Sequence, residues 1–375
     1  MLKSLTVRGF KSLKDVSVEF PQMAVLFGPN AAGKSNFLVC LSFLSQLVVG
    51  GTPAVCGIGT GTGTRGAFTD VVWGGDKDLA IHFEIEGSLK IQGPSQPVEY
   101  SITIASKVPG VPRIEEERAA WRKDKQELFQ RQLGTVKYLD KTEGRADWEP
   151  VLQYISPDRP EAFALAQAIR SWSTYDFQRS QIAKRQPVKK EAQLASDGSN
   201  AATVLHWVRN EDVATFNRLE SLLKSAIPEV EHLLTPPDEQ GQVYIAFKEK
   251  HLPGRIPAWS LSEGSTRLVA TLLALFVPSP PALVAIEAPE TSLHPYLMEY
   301  LADILKLGSR ETQIIITTHS PYLLNHLPPE SLVIVTKERG ETKVKRVRRD
   351  RALKEALQVL GLGEMWYAGH LGGVP

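Results

Sequence analysis

The segment MAVLFGPNAAGKS (Met23–Ser35) decides the fold of this chain. Its first six residues are apolar enough to form a buried central strand, and GPNAAGKS (Gly28–Ser35) matches the pattern G-x-x-x-x-G-K-[ST]. The residues that follow carry the apolar spacing of a helix, which we expect to end near Val49. Because the glycine-rich loop lies between a strand and a helix, we interpret it as a phosphate-binding loop and not as a chance turn.

The residue types in this loop suit a triphosphate and its metal ion. The backbone N–H groups around Gly33 and Lys34 lie at a helix N-terminus, where the helix dipole favours an anion and glycine permits its close approach. Lys34 is expected to reach the β- and γ-phosphates of ATP, and the Ser35 hydroxyl to join the coordination shell of Mg²⁺. Asn30 and Asn36, within and just after the loop, are further candidates for contact with the nucleotide.

Helices and strands alternate in the C-terminal third of the chain. The pattern predicts a helix over Ser265–Phe276, a strand over Ala282–Ile286, a helix over Leu297–Leu307 and a strand over Gln313–Thr317. Such alternation is typical of βαβ units, which place parallel strands side by side. We therefore expect a parallel sheet in this part of the chain.

The stretch LSEGSTR (Leu261–Arg267) opens the first of these helices. Ser262 and Gly264 could offer a hydroxyl group and bare N–H groups to an anion at the helix N-terminus. An ordinary capped helix explains the same residues equally well, because serine is a preferred N-cap. The stretch alone leaves both interpretations open.

Two polar residues follow the predicted C-terminal strands. Glu287 ends the strand in ALVAIEAPE, where a carboxylate beside a phosphate loop can hold Mg²⁺ through water. His319 lies just past the strand in QIIITTHSP, where it could sense the γ-phosphate. A single histidine at a strand end is more often structural, but the neighbouring motifs favour the functional interpretation.

The ordered set GPNAAGKS, LSEGSTR, AIEAPETSLHP and TTHSP resembles the ABC-type ATPase heads of the RecF and SMC kind. More closely, it is similar to the OLD-like, stand-alone AAA-type ATPases, whose signature reads LSEG or LSDG. The N-terminal VRGFKSLKDVSVEF, SDGSN (Ser196–Asn200) and the tail LGLGEMWYAGHLGGVP also match that group. The resemblance therefore covers nearly the whole chain, and the middle and residues 50–65 match least.

The resemblance implies an α/β fold. We expect an ABC-type P-loop ATPase head, in which a mixed sheet has a parallel core and additional antiparallel strands. Residues 1–106 would form its N-terminal part and residues 250–375 its C-terminal part, with a mixed α/β insertion over residues 107–249. Within the insertion, Arg113–Gln132 is compatible equally with a charged helix and with hairpins, whereas Gly50–Gly66 in the N-terminal part is expected to form a loop.

The resemblance also implies a composite site. The phosphate loop of one subunit would bind ATP, and Ser262 and Gly264 of the other subunit would close over the γ-phosphate, so that ATP joins two heads into a homodimer. Lys11 or Ser12 often touches the phosphates in such heads. Family members of this kind act as switches on a separate effector. Here we expect a nuclease encoded elsewhere, in defence against phage or mobile DNA.

Two other functional classes remain open. One is a DNA-repair or DNA-clamping ATPase of the RecF type, and the weaker one is the nucleotide-binding subunit of a transporter. The basic stretch KVKRVRRDR (Lys343–Arg351) is interpreted as a solvated edge strand, with a patch for the DNA backbone as the alternative.

The chain departs from the family directly after Glu287. The family strand reads I-E-E-P-E, in which the first acid binds the metal and the second polarises the attacking water, but here Ala288 occupies the second position. A methyl group cannot accept a proton, and losing a positioned general base typically costs about 10²–10⁴ in rate. Three explanations stay open: an engineered trap, a natural slow ATP-binding switch, or Glu290 as the base. Pro289 constrains the turn and disfavours the third.

Composition favours a cytoplasmic protein. The formal net charge is +1, and the two cysteines, Cys40 and Cys56, are too few for a disulfide scaffold. Apolar runs such as Leu268–Val277 are shorter than the roughly 20 residues that span a bilayer. We therefore expect no contact with a membrane.

Overall fold

The computed structural model describes residues 1–57, 65–91, 93–108, 111–123, 125–132, 134–138, 140–347, 356 and 360–371. They form two compact units. Unit 1 contains the described parts of Met1–Trp172, Glu330–Arg349 and Leu371–Pro375, and unit 2 those of Ser173–Pro329 and Asp350–His370. Unit 1 draws residues from both ends of the chain, because a strand near the C-terminus pairs with a strand near the N-terminus.

The N-terminal part of unit 1 is built around an antiparallel sheet. Its strands are β1 (Leu2–Phe10), β2 (Leu13–Glu19), β3 (Met23–Phe27), β4 (Ile81–Leu89), β5 (Gln96–Val108), β6 (Val111–Trp121), β7 (Glu127–Gln132), β8 (Thr135–Lys137) and β9 (Thr142–Gly144). Its helices are α1 (Lys34–Cys56), α2 (Phe68–Val71) and α3 (Pro160–Arg170). Apart from β3, these strands pair antiparallel in the order β2-β1-β4-β5-β6-β7-β8-β9. The boundary expected after residue 106 falls inside β5.

Unit 2 contains the parallel strands that the sequence predicts. Its strands are β10 (Ser173–Tyr175), β11 (Gln186–Pro187), β12 (Val230–Leu234), β13 (Gln242–Val243), β14 (Ala246–Glu249), β15 (Arg255–Pro257), β16 (Leu283–Glu287) and β17 (Gln313–Thr318). Its helices are α4 (Arg179–Ile182), α5 (Ala201–Glu211), α6 (Val213–Ala226), α7 (Glu263–Phe276), α8 (Met298–Gly308), α9 (Pro321–Leu324) and α10 (Leu362–Tyr367). Because β16 pairs parallel with both β10 and β17, and α8 connects β16 to β17, the predicted βαβ unit is confirmed.

Two later strands return to unit 1. They are β18 (Leu332–Glu338) and β19 (Glu341–Arg346). β18 pairs parallel with β3 and antiparallel with β19. All five residues of β3 are buried, as expected for a strand covered on both faces. Parallel and antiparallel pairs thus occur together, as the fold prediction requires.

Helix α1 forms part of the core of unit 1. Its Phe43 ring lies 5.3 Å from that of Phe10 and 5.6 Å from that of Phe83, which places α1 against β1 and β4. By length and mean hydropathy (1.7) α1 could cross a membrane, but 67% of its apolar window is buried inside the protein. Such burial is typical of a core helix, so we interpret α1 in that way.

The prediction of a loop over Gly50–Gly66 is wrong for its first residues. α1 bends at Gly51, where φ is 69°, and then continues as a helix to Cys56. The Thr52 N–H donates to the carbonyl oxygen of Trp148 at 2.9 Å, so a distant partner stabilises the continuation. Most of the remainder of that predicted loop lies outside the described residues.

For Arg113–Gln132, the hairpin alternative is correct, since this stretch forms β6 and β7. Its charges obscured the strand pattern, because two of them point inward: Glu117 is 1% exposed and Arg131 is fully buried. The Glu117 carboxylate accepts hydrogen bonds from the Val151 N–H at 2.7 Å and the Tyr100 hydroxyl at 3.1 Å. Buried charges are tolerated when they are paired in this way.

Stability should depend on pH through Glu117. Burial raises the pKa of its carboxyl to about 7, against the opposing effect of its hydrogen bonds and of Arg131. The pKa of Glu117 is higher in the folded than in the unfolded protein. The contribution of its neutral carboxyl to stability is therefore complete below about pH 4.5 and is lost as the pH rises through about 7. We expect the free energy of unfolding to fall by about 3 kcal/mol over that range.

The substitution Glu117→Gln, which mimics the neutral carboxyl, should flatten this dependence in urea unfolding at about pH 5.5 and about pH 8. The control is Glu239→Gln, because Glu239 is exposed. An unchanged pH dependence in Glu117→Gln would contradict the assignment.

Candidate nucleotide-binding site

The phosphate loop lies in unit 1, between β3 and α1. Its backbone has positive φ angles, in the left-handed region, at Ala31 (φ 59°) and Gly33 (φ 106°). Gly33 is the N-cap of α1 and has no side chain with which to cap the first turn. The N-terminus of this long helix therefore faces the loop with its backbone donors, which is the arrangement that binds a phosphate.

Lys34 is held over the loop by backbone oxygens. Its side chain is 4% exposed, and Nζ donates to the carbonyl oxygens of Gly28 at 2.9 Å and Pro29 at 2.8 Å. An ammonium group buried next to an uncapped helix N-terminus is suited to a multiply charged anion. Ser35 follows in the first turn of α1 and is half-buried.

A hydrogen-bonded cluster from three neighbouring parts of unit 1 supports the loop. Thr342 of β19 is fully buried, and its Oγ1 donates to the Ala32 carbonyl oxygen at 2.9 Å and lies 2.7 Å from Ser12 Oγ. Ser12 Oγ also accepts from Asn36 Nδ2 at 2.6 Å. We call Ser12, Asn36 and Thr342 the loop clamp. The predicted contact of Ser12 with phosphate stays a prediction, because its hydroxyl is engaged in the clamp.

The clamp explains why the loop requires glycine at Gly33. A Cβ built there would lie 2.1 Å from Thr342 Oγ1 and 2.7 Å from Ser12 Oγ. Lys11, the other candidate in the turn between β1 and β2, has φ 47°, and its N–H donates to the Val71 carbonyl oxygen at 2.7 Å. Its contact with phosphate also stays a prediction.

The signature residues lie at the start of α7 in unit 2. Ser262 is an exposed N-cap whose Oγ accepts from the Ser265 N–H at 3.1 Å, as the capped-helix interpretation expects. Its contact with an anion stays a prediction. Gly264 is buried, and a Cβ there would lie 2.3 Å from the carbonyl oxygen of Ser292. The signature therefore packs directly against the turn that follows β16.

Unit 2 brings Glu287, Ala288, Glu290 and His319 together at the carboxyl ends of β16 and β17. Glu287 ends β16 opposite Thr317 in register, and both Glu287 and Ala288 are partly exposed. Ala288 has φ 42°, and its N–H lies within hydrogen-bond distance of the Thr317 carbonyl oxygen (3.2 Å) and Oγ1 (3.1 Å). Ala288, at the predicted position of the general base, thus occupies a strained left-handed conformation.

Glu290 connects the turn after β16 to His319 through hydrogen bonds. Its side chain is 9% exposed, and Oε1 accepts from Thr318 Oγ1 at 2.6 Å and from the His319 N–H at 3.0 Å. Burial raises the pKa of the Glu290 carboxyl. His319 itself is exposed. Its hydrogen bonds and burial make Glu290 better suited to holding the histidine loop than to activating water.

The two predicted ligands of Mg²⁺ carry side-chain oxygens, which are the donors that this ion prefers. Within the described ranges, no group of three or more His, Cys, Asp or Glu side chains could hold a metal. Mg²⁺ needs few protein ligands, because water and phosphate oxygens complete its shell. Ser35 in unit 1 provides a hydroxyl and Glu287 in unit 2 a carboxylate, and their coordination of Mg²⁺ stays a prediction.

Comparisons with known proteins identify the family and the fold of this chain. The family model AAA_21, described as "AAA domain, putative AbiEii toxin, Type IV TA system", matches residues 23–325. An SMC head bound to the C-winged helix domain of ScpA is similar at 14% identity and a TM-score of 0.58, over 94% of this chain and 99% of that chain.

A second SMC head, with an extended coiled coil and bound to a ScpA domain derived from Pyrococcus furiosus, has 14% identity and a TM-score of 0.56, over 96% of this chain and 99% of that chain. A search of curated proteins finds no match. The two SMC similarities confirm the predicted fold class, that of an ABC-type ATPase head.

Proposed function

The chain belongs to the AAA_21 family of AAA-domain proteins, and from this premise we propose that it is an ATP-binding molecular switch of the ABC type. The observation that carries the proposal is the phosphate loop, where Gly33 and the buried Lys34 lie at the N-terminus of α1. Lys34 and the backbone donors bind the phosphates of ATP. Ser35 and Glu287 hold the Mg²⁺ that accompanies it.

The second part of the proposal is a homodimer around ATP. Ser262 is exposed at the N-terminus of α7, as a residue must be that meets the nucleotide of another copy. His319 is exposed at the end of β17 and senses the γ-phosphate. Hydrolysis is slow, because Ala288 provides no base and Glu290 is buried.

The dimer regulates a separate effector in the cytoplasm. By resemblance to OLD-like ATPases this effector is a nuclease, and the setting is defence against phage or mobile DNA. The binding of a ScpA domain by similar SMC heads supports a protein partner for such a fold.

The alternative is a RecF-like or SMC-like ATPase that clamps DNA, which the fold similarity favours. The described part of the basic stretch weakens this alternative. Lys343 lies 2.8 Å from Glu341 and Arg346 lies 3.2 Å from Glu19, so that these cations are already paired.

Light scattering tests the proposal. With Mg-ATP the mass should double from 41.4 kDa, whereas it should stay unchanged with ADP, which lacks the γ-phosphate. Lys34→Ala should abolish the change, because it removes the phosphate-binding ammonium group. An identical mass increase in Lys34→Ala would rule out the composite site.

A further inference from the structure

An arginine that is distant in sequence from the phosphate loop and the signature holds the backbone that leads into the signature. Arg179, the first residue of α4, donates through Nη2 to the carbonyl oxygens of Trp259 at 2.8 Å and Leu261 at 3.0 Å. These acceptors lie 80 and 82 residues further along the chain. Leu261 immediately precedes Ser262, so the guanidinium group fixes the approach to the α7 N-cap.

The held segment has a defined conformation. Residues 258–260 form a short 3-10 turn, after which Leu261 (φ −77°, ψ 161°) and Ser262 (φ −64°, ψ 155°) are extended. One guanidinium nitrogen bridges two carbonyl groups that are separated by a single residue. Charge-assisted hydrogen bonds of this kind are about twice as strong as neutral ones. The bridge therefore constrains the position and the direction of the backbone where α7 begins.

A second arginine, Arg185, lies six residues after Arg179 and contacts the side chain of Trp259. The Arg185 guanidinium lies 4.6 Å from the centre of the Trp259 ring, and the ring of Tyr244 lies 4.9 Å from that of Trp259. Arg185 is itself paired with Asp238 at 3.1 Å. Trp259 is thus restrained through both its backbone and its ring, although 40% of its surface is exposed.

We propose that Arg179 is a positioning residue for the signature turn, and that it acts on the nucleotide bound to a second copy of this chain. This inference rests on the proposed function, in which Ser262 meets the ATP of the partner subunit. Arg179 contacts no phosphate itself. It holds Leu261 so that Ser262 and the N-terminus of α7 are presented correctly when the two copies close.

Loss of Arg179 should change dimerisation but not the affinity of a single copy for ATP, whereas a general structural defect would change both. Arg179 and the signature lie in unit 2, whereas the phosphate loop lies in unit 1. Arg179→Ala should therefore leave the affinity of a single copy for ATP unchanged, because Lys34 is unaffected. It should weaken the ATP-dependent dimer about tenfold or more, because two charge-assisted hydrogen bonds to the signature turn are lost.

Two further variants calibrate this effect. Arg179→Lys should give an intermediate loss, because a compact ammonium group bridges two carbonyls less well than a planar guanidinium. Arg218→Ala is the matched control. Arg218 stacks on Phe276 at the opposite end of α7, with 4.4 Å between the guanidinium carbon and the ring centre. Its removal should not weaken the dimer.

The experiment measures fluorescent-ATP binding and light scattering over a concentration series for each variant. It ends with a mixture of Arg179→Ala and Lys34→Ala. A mixed dimer has one complete site, because the Arg179→Ala copy supplies the phosphate loop and the Lys34→Ala copy supplies the signature. The mixture should therefore form more ATP-dependent dimer than either variant alone.

The inference is overturned if Arg179→Ala lowers the affinity of a single copy for ATP, measured at concentrations too low for dimers to form. An equal loss of dimer in Arg218→Ala, or no gain on mixing, would overturn it as well. If the unchanged chain forms no dimer with Mg-ATP, the proposed function fails and the inference fails with it. If the unchanged chain and Arg179→Ala dimerise equally well, only the inference fails.

Discussion

Ala288→Glu is expected to raise the rate of ATP hydrolysis by about 10²–10⁴, because it places a carboxylate where the ABC-type site needs a general base. The backbone already suits the change. Ala288 is partly exposed, and its φ of 42° strains alanine and glutamate alike, so the substitution adds little new backbone strain. Turnover measured as phosphate release with Mg-ATP tests this expectation.

The matched control is Ala288→Gln, which has the shape of glutamate but cannot accept a proton at neutral pH. It should hydrolyse ATP as slowly as the unchanged chain while still forming the ATP-dependent dimer. Equal rates for the two variants would show that a carboxylate at this position is not the base. Glu290→Gln in the unchanged chain tests whether any residual turnover depends on Glu290.

Gly33→Ala is expected to lower the affinity for ATP about 100-fold. The new Cβ would lie 2.1 Å from Thr342 Oγ1, and the φ of 106° is unfavourable for alanine. Either the loop clamp or the loop must move, and the backbone donors then no longer surround the phosphate. Titration with a fluorescent ATP analogue measures the loss.

Gly241→Ala is the control for strain alone. Gly241 also has a positive φ (73°), but a Cβ there meets nothing within 4 Å, so ATP binding should persist. The double variant Gly33→Ala/Thr342→Ala removes the colliding hydroxyl and should recover part of the affinity. No recovery would mean that backbone strain at Gly33 or the close approach to Ser12 Oγ, and not the Thr342 hydroxyl, explains the defect.

The local elements of this protein follow from short stretches of its sequence. An apolar strand, a glycine-rich loop and a helix are specified within Met23–Ser35 and the turns that follow, because strand propensity, glycine freedom and helical spacing act between near neighbours. The same holds for β16, α8 and β17. Their apolar runs and periods predicted a parallel arrangement that the structure confirms.

Other features depended on contacts between residues far apart in the chain. The continuation of α1 beyond Gly51 depends on Trp148, and the hairpin of β6 and β7 depends on partners for the buried Glu117. No local pattern encodes such partners, because any hydrogen-bonding group that packing brings close can satisfy a buried polar atom.

The residues of the candidate site also fall into two groups, those recognisable from the sequence and those that depend on distant contacts. Motif residues such as Lys34, Ser262 and Glu287 were recognisable from the sequence, because their chemistry requires particular residue types at particular spacings. Thr342 and Arg179 carry no such signal: one is a threonine in a basic strand, and the other is an arginine in a short helix. Their importance arises only when folding places them 2.7 Å from Ser12 Oγ and 3.0 Å from the Leu261 carbonyl oxygen. The sequence alone thus identified which residues carry the chemical groups that nucleotide binding needs, and tertiary packing decided which residues hold them in place.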